Sequence, residues 1–208
     1  MPLPLSSATT TQQELSFQLL PNVEELPVTA KRFGPELIAY HRPDHPTARQ
    51  YRALVDGITQ QLPATTSRVL LFSPTSPRTT TTITLLNLAI TRANDGCGRV
   101  LYVELERSIA SASTRLGVPP VPGLRELLAR TVPLTMALHR TSIDGLFLLP
   151  AGKTELGTDE VARLSSLLTQ FRARFDWILV DAPTWGTQPL SDWAKNSDGA
   201  YLLMRADE

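Results

Sequence analysis

Three short stretches concentrate the acidic and hydroxyl side chains that could do chemistry, and each follows an apolar run. They are Ser73-Pro74-Thr75-Ser76-Pro77-Arg78-Thr79-Thr80-Thr81-Thr82, Glu104-Leu105-Glu106-Arg107 and Asp181-Ala182-Pro183-Thr184. A helix starting after the first would turn its free N–H groups toward an anion, and Arg78 could approach a phosphate there. Glu104, Glu106 and Asp181 supply carboxylates suited to a hard metal ion or to proton transfer. Each also has a plainer reading, Asp181 as a cap on a neighbouring loop and the two glutamates as solvated or paired surface groups. Other chemistries find less support. Gly152-Lys153-Thr154 looks like the end of a phosphate-binding motif, but the required upstream glycine position holds Phe147. His41, His45 and His139 lack the spacing of a metal site. Cys97 lies in a Gly-flanked turn, and Trp177, Trp185 and Trp193 suit core or interface packing.

These stretches need a framework, and the apolar pattern supplies one. Residues 68–73, 99–104, 145–150, 177–181 and 199–205 read as strands, four of them almost continuously apolar. That is the pattern of parallel strands covered on both faces. Helical periodicity lies between them, over 83–93 and more strongly over 159–174. Upstream, Thr47 is placed to cap a helix reaching about Leu62, with Tyr51, Leu54, Ile58 and Leu62 on one face. The alternation predicts an α/β fold, a three-layer sandwich around a mostly parallel sheet. Ligands of such sheets bind beyond the carboxyl ends of the strands, where all three polar stretches fall.

Residues 1–45 differ in character. Pro2, Pro4, Pro21, Pro27, Pro35 and Pro43 interrupt any long helix, which predicts an extended or partly disordered arm ahead of a domain over 46–208. Apolar patches at 17–20 and 33–39 could dock on that domain or on a partner, the domain being the simpler host. Twenty basic residues balance twenty acidic ones, so no net field favours nucleic acid. No stretch approaches the ~20 apolar residues that cross a bilayer, and the N-terminus lacks the basic start of a signal peptide. A single cysteine suits a reducing compartment. A cytoplasmic location without a membrane span is expected.

Taken in order, several segments resemble the bacterial tyrosine autokinases of exopolysaccharide synthesis, within the MinD/ParA-like P-loop class. Asn87-Leu88-Ala89 stands where that family has Asn-Leu-Ala on the helix after its Walker A loop. Glu104-Leu105-Glu106 matches the Asp-x-Asp of Walker A-prime, and Trp177 to Pro183 (WILVDAP) the Walker B strand with Asp-x-Pro. Pro122-Gly123-Leu124, Leu149-Pro150-Ala151-Gly152 and Tyr51-Arg52-Ala53-Leu54 resemble smaller family segments. The resemblance covers about residue 45 to the end and implies a P-loop NTPase-like domain.

It also locates departures. Counted back from Asn87, the family's Gly-Glu-Gly-Lys-Ser falls on Arg78-Thr79-Thr80-Thr81-Thr82. The glycines let backbone N–H groups wrap phosphates and the lysine neutralises their charge. Here Arg78 and Thr80 fill the glycine places and Thr81 the lysine place. Each lost hydrogen bond to a charged group costs about 1.5–3 kcal/mol. The resemblance therefore implies a degenerate phosphate loop over residues 78–82. Thr82 and Asp181 would hold the metal if Mg-nucleotide binds, Asp181 is the catalytic-type candidate, and Glu104 and Glu106 are a vestigial Walker A-prime. No cofactor is expected unless ATP or ADP with Mg²⁺ is retained.

The family's tyrosine-rich tail has no counterpart before Glu208, and of its Glu-x-x-Arg-x-x-Arg helix, falling on Arg49, Arg52 and Val55, only Arg52 remains. The resemblance thus implies a non-catalytic regulator or scaffold in exopolysaccharide biosynthesis or export. Its expected partner is the cytoplasmic part of a membrane polysaccharide co-polymerase or a kinase paralogue, which would recruit it to the inner face of the membrane. Homo-oligomerisation is compatible with this. The alternatives are an active atypical ATPase or protein-tyrosine kinase of the same pathway, and a ParA/MinD-type positioning protein.

Overall fold

The computed structural model describes residues 26, 28–29, 33–62, 67–76, 81–96, 98–106, 108, 110–155, 163–186 and 190–205. Among the described residues seven strands form one sheet: β1 (Val28–Thr29), β2 (Arg68–Pro74), β3 (Val100–Glu104), β4 (His139–Thr141), β5 (Leu146–Leu149), β6 (Trp177–Asp181) and β7 (Gly199–Leu203). The order across the sheet is β1-β4-β5-β3-β6-β2-β7. Only the β4–β5 pair is antiparallel. The fold is thus α/β with a mostly parallel sheet.

The near-continuous apolar runs follow from the layers. Along β2, β3, β5 and β6, successive side chains alternate between two cores. Leu70, Phe72, Tyr102, Leu148, Trp177 and Leu179 face one, while Val69, Leu71, Leu101, Val103, Ile178 and Val180 face the other. The first core is covered by α1 (Ile38–His41), α2 (Pro46–Gln61), α3 (Thr81–Asn94) and α4 (Ala112–Leu116). The second is covered by α5 (Leu124–Leu128), α6 (Leu134–Ala137), α7 (Leu164–Arg172) and α8 (Leu190–Lys195). Burying both faces leaves no need for an alternating polar side.

Several sequence expectations need correction. The cap of α2 is His45, whose ring accepts the Thr47 N–H at 3.2 Å, and Thr47 lies inside the first turn behind Pro46. The buried stripe of α2 is Ala48, Val55 and Ile58, and Leu54 is 41% exposed. Arg52 pairs with Asp95 at the end of α3. The helix expected over 159–174 is described over Leu164–Arg172 and buries Leu164, Leu167, Leu168 and Phe171; residues 159–162 lie outside the described residues. β1 and β4 were not legible in the sequence, being two and three residues long.

Within the stretch expected to be an arm, residues 1–25 (with the patch at 17–20) lie outside the described residues. The patch at 33–39 docks on the domain. Phe33, Leu37 and Ala39 join the first core, and Phe33 meets Tyr40 edge-on at 4.7 Å. Asn87 of α3, fully buried, fastens this segment: its Oδ1 accepts the Ala39 N–H at 2.9 Å and its Nδ2 donates to the Glu36 carbonyl at 3.0 Å. Glu36 also pairs with Arg115 on α4.

Candidate functional site

The parallel pairing brings the carboxyl ends of β2, β3 and β6 side by side. Phe72 and Glu104 both register with Asp181. Backbone and side-chain bonds then stitch the loops: Leu105 N–H to the Asp181 carbonyl at 3.0 Å, Ser73 Oγ to the Pro183 carbonyl at 2.7 Å, and Trp185 N–H to the Pro74 carbonyl at 2.9 Å. Three stretches far apart in sequence thereby share one end of the sheet.

Asp181 lies at its centre. Oδ1 accepts the Thr81 hydroxyl at 2.9 Å, and Oδ2 accepts the hydroxyls of Thr82 at 2.8 Å and Tyr102 at 2.6 Å. Burial pushes the Asp181 pKa up, the three hydroxyls pull it back, and the Glu106 carboxylate raises it further. Tyr102 is fully buried. Its phenol is held well above its ordinary value, chiefly by burial and then by the Asp181 charge, so it stays a donor at neutral pH. Tyr102 was not singled out in the sequence. The available signal was a phenol in an otherwise aliphatic strand, two residues before Glu104.

The two glutamates separate. Glu104 is 3% exposed, against the expectation of a surface role. The reason is α4, which starts over the end of β3: Glu104 Oε1 accepts the Ser113 N–H at 2.9 Å, one of the helix's unpaired donors, beside the Ser111 cap. Burial raises the Glu104 pKa against those hydrogen bonds. Glu106 is exposed. Of the expected phosphate loop, Arg78, Thr79 and Thr80 lie outside the described residues, while Thr81 and Thr82 form the first turn of α3.

The Gly152-Lys153-Thr154 stretch does cradle an anion, but one of the protein's own. Glu126 accepts from Gly123 N at 2.8 Å, Lys153 N at 2.8 Å, Thr154 N at 2.9 Å and Thr154 Oγ1 at 2.9 Å. Burial opposes its ionisation, yet these bonds prevail and lower its pKa to about 2. The Pro-Gly-Leu and Leu-Pro-Ala-Gly segments meet here, with Leu124 N–H bonded to the Pro150 carbonyl at 2.7 Å. A Cβ on Gly123 would fall 2.2 Å from that carbonyl oxygen, so only glycine fits.

The histidines do separate jobs: His41 Nε2 bonds the Phe33 and Gly34 carbonyls, His45 caps α2, and His139 sits in β4. No group of three metal-ligating side chains occurs among the described residues. Nor is any described helix long and apolar enough to cross a membrane. Cys97 lies outside the described residues.

The chain is 27% identical over 184 residues to the tyrosine-protein kinase EpsB of Ralstonia solanacearum, covering 87% of this chain and 23% of that one. In structure it matches the kinase domain of the Escherichia coli tyrosine kinase Etk with a TM-score of 0.73, at 18% identity over 85% of this chain and 71% of that one. The chain is thus similar in sequence to a stretch of EpsB and shares the fold of the Etk kinase domain. The homology covers a segment only, since the chain spans about a quarter of EpsB. The septum site-determining protein MinD of Pyrococcus horikoshii, complexed with Mg-ADP, also matches, with a TM-score of 0.56 at 22% identity over 66% of this chain and 58% of that one. No family model matches the sequence.

The MinD match is complexed with Mg-ADP, and some residues here are of the kind that could hold such a ligand. Thr82 and Asp181 stand together where a hydroxyl and a carboxylate would hold Mg²⁺, at the start of a 14-residue helix whose N-terminus favours anions. Thr81 carries no charge and directs its hydroxyl to Asp181.

Proposed function

We propose that this kinase homologue is a non-catalytic regulator or scaffold in bacterial exopolysaccharide biosynthesis or export, descended from a tyrosine autokinase. What supports the reading above all is the state of Asp181: three side-chain hydroxyls occupy its two oxygens, one of them from the residue standing in the lysine place. A carboxylate so satisfied needs no metal to offset its burial. Loss of the phosphate-loop glycines and lysine from the sequence points the same way, with 46–208 as the degenerate domain and 1–45 as its leading segment. No cofactor is then required.

In this reading the partner is the cytoplasmic part of a membrane polysaccharide co-polymerase or a kinase paralogue, which holds the protein at the inner face of the membrane. Affinity purification from cells making exopolysaccharide tests it. Retention of such a membrane protein or kinase is expected, and a preparation free of both would overturn the partnership.

One observation favours a second reading, an atypical ATPase or protein-tyrosine kinase. Thr82 and Asp181 keep the hydroxyl–carboxylate pair of a Mg²⁺ site. That version requires Mg²⁺-dependent ATP turnover lost in Asp181→Ala.

A further inference from the structure

At the end of the sheet opposite Asp181, β2, β3 and β6 begin side by side. Asp176, just before β6, accepts the Arg68 N–H on its carbonyl at 2.8 Å and gives its own N–H to the Arg99 carbonyl at 2.9 Å. Arg174 lies two residues earlier in the same connection. Arg92, in the last turn of α3, holds its guanidinium 5.4 Å from the centre of the Trp177 ring, at the first residue of β6. Four arginines from separate elements thus gather about the start of one strand.

The acidic groups of this end are engaged from within. Asp176 Oδ2 accepts the Arg99 N–H at 2.7 Å. Asp198 Oδ2 accepts the Val69 N–H at 2.7 Å and pairs with Arg172, also at 2.7 Å. Asp95 and Asp144 face Arg52 and Arg140. Among the described residues no carboxylate pairs with Arg99 or Arg174, and both side chains are partly exposed. Residues 63–66 and 97, which belong to these connections and lie outside the described residues, include no Asp, Glu, Lys or Arg. The excess of arginine therefore does not depend on them.

We propose that this basic end binds a surface of anionic phospholipid. Guanidinium groups match phosphate oxygens in shape and charge. They are carried here on neighbouring strands about 4.8 Å apart, which suits a plane of headgroups better than one small anion. Lipid attraction falls off within a Debye length of about 8 Å, so a local patch suffices although the whole chain has no net charge. Steering by a long nucleic acid would gain nothing from a neutral chain. Seated this way, the protein would turn the Asp181 end away from the membrane. The inference adds direct lipid contact to the membrane location proposed above.

Sedimentation of the full chain with vesicles tests it without any partner protein, so failure here leaves the scaffold reading intact. Vesicles containing phosphatidylglycerol should bind the chain at least tenfold more tightly than phosphatidylcholine alone, and added sodium chloride should weaken that binding. Each cation at such a surface is worth about fivefold in affinity, so Arg99→Ala with Arg174→Ala should lose at least tenfold. Arg125→Ala with Lys153→Ala, at the Glu126 loop on the other end, should lose less than twofold. Should the first double variant not fold, Arg174→Gln alone should still lose about fivefold. Equal sedimentation with both kinds of vesicle would overturn the proposal, as would equal losses in the two double variants. Poly-glutamate bound more tightly than the vesicles would overturn it too, assigning this end to an acidic protein.

Discussion

The Tyr102 hydroxyl lies 2.6 Å from Asp181 Oδ2, joining the middle of β3 to the end of β6. The two residues are 79 apart in sequence and are brought together only by the parallel register of β3 with β6. Thr82 shares Oδ2 with the phenol and Thr81 takes Oδ1, so three hydroxyl donors surround one carboxylate.

Removing the phenol hydroxyl should therefore be felt. Tyr102→Phe keeps the ring and its packing but leaves Asp181 one donor short. A hydrogen bond to a charged group is worth about 1.5–3 kcal/mol, and a loss of that order is expected. Urea denaturation of both proteins at neutral pH checks it. A midpoint unchanged within error would mean that the bond adds nothing to stability.

Glu126 gives a pH dependence. Its folded pKa is about 2 against an ordinary 4.5, a depressed carboxylate, so its stabilisation is present above 4.5 and is lost as pH falls toward 2. At 1.36 kcal/mol per unit the shift is worth roughly 3 kcal/mol. Glu126→Gln should be destabilised by about that amount at pH 6. Its deficit should shrink steadily between pH 4.5 and 2 in denaturation curves measured across that range. A deficit independent of pH would assign the loss to packing instead.

Asn87 tests how the 33–41 segment is held. Its side chain bonds Ala39 N–H, the Glu36 carbonyl and the Ile83 carbonyl from a fully buried site. Asn87→Ala should cost roughly 2–4 kcal/mol by leaving buried backbone groups unpaired. Hydrogen exchange should quicken at Ala39 ahead of the strand amides of β2 and β3. Exchange that rises equally everywhere would contradict this specific anchoring.

The reading of residues 78–82 as a degenerate phosphate loop gives a gain-of-function prediction. Thr81→Lys alone should not restore nucleotide binding, because Arg78 and Thr80 still stand at the glycine places. Arg78→Gly, Thr80→Gly and Thr81→Lys combined should raise Mg-ADP affinity at least tenfold in equilibrium dialysis. Equal affinity in the triple variant and the wild type would show that these positions do not limit binding.

The sequence carried the sheet better than it carried the site. Strand β6 was legible to the residue, because Trp177–Asp181 is an unbroken apolar run ended by a carboxylate. The short strands β1 and β4 were not, since two or three residues hold no periodicity. Asp181 was legible from its place at a strand end. Its partner Tyr102 was not, because a phenol inside a strand reads as core until the register shows what its hydroxyl meets. Glu104 was misplaced for a related reason: nothing in Glu104-Leu105-Glu106 says that a short helix will start over one glutamate and leave the other exposed. Likewise, Lys153 and Thr154 looked like half of a phosphate motif, and only the fold reveals Glu126 as the anion they hold.

With Asp181 satisfied by the protein's own hydroxyls, the proposed scaffold has no use for a bound nucleotide. Calorimetric titration of the purified chain with Mg-ADP and Mg-ATP, repeated on Asp181→Ala, tests it most directly. No heat of binding is expected short of the millimolar range for either nucleotide. Micromolar binding that disappears in a folded Asp181→Ala would contradict it and restore the kinase reading.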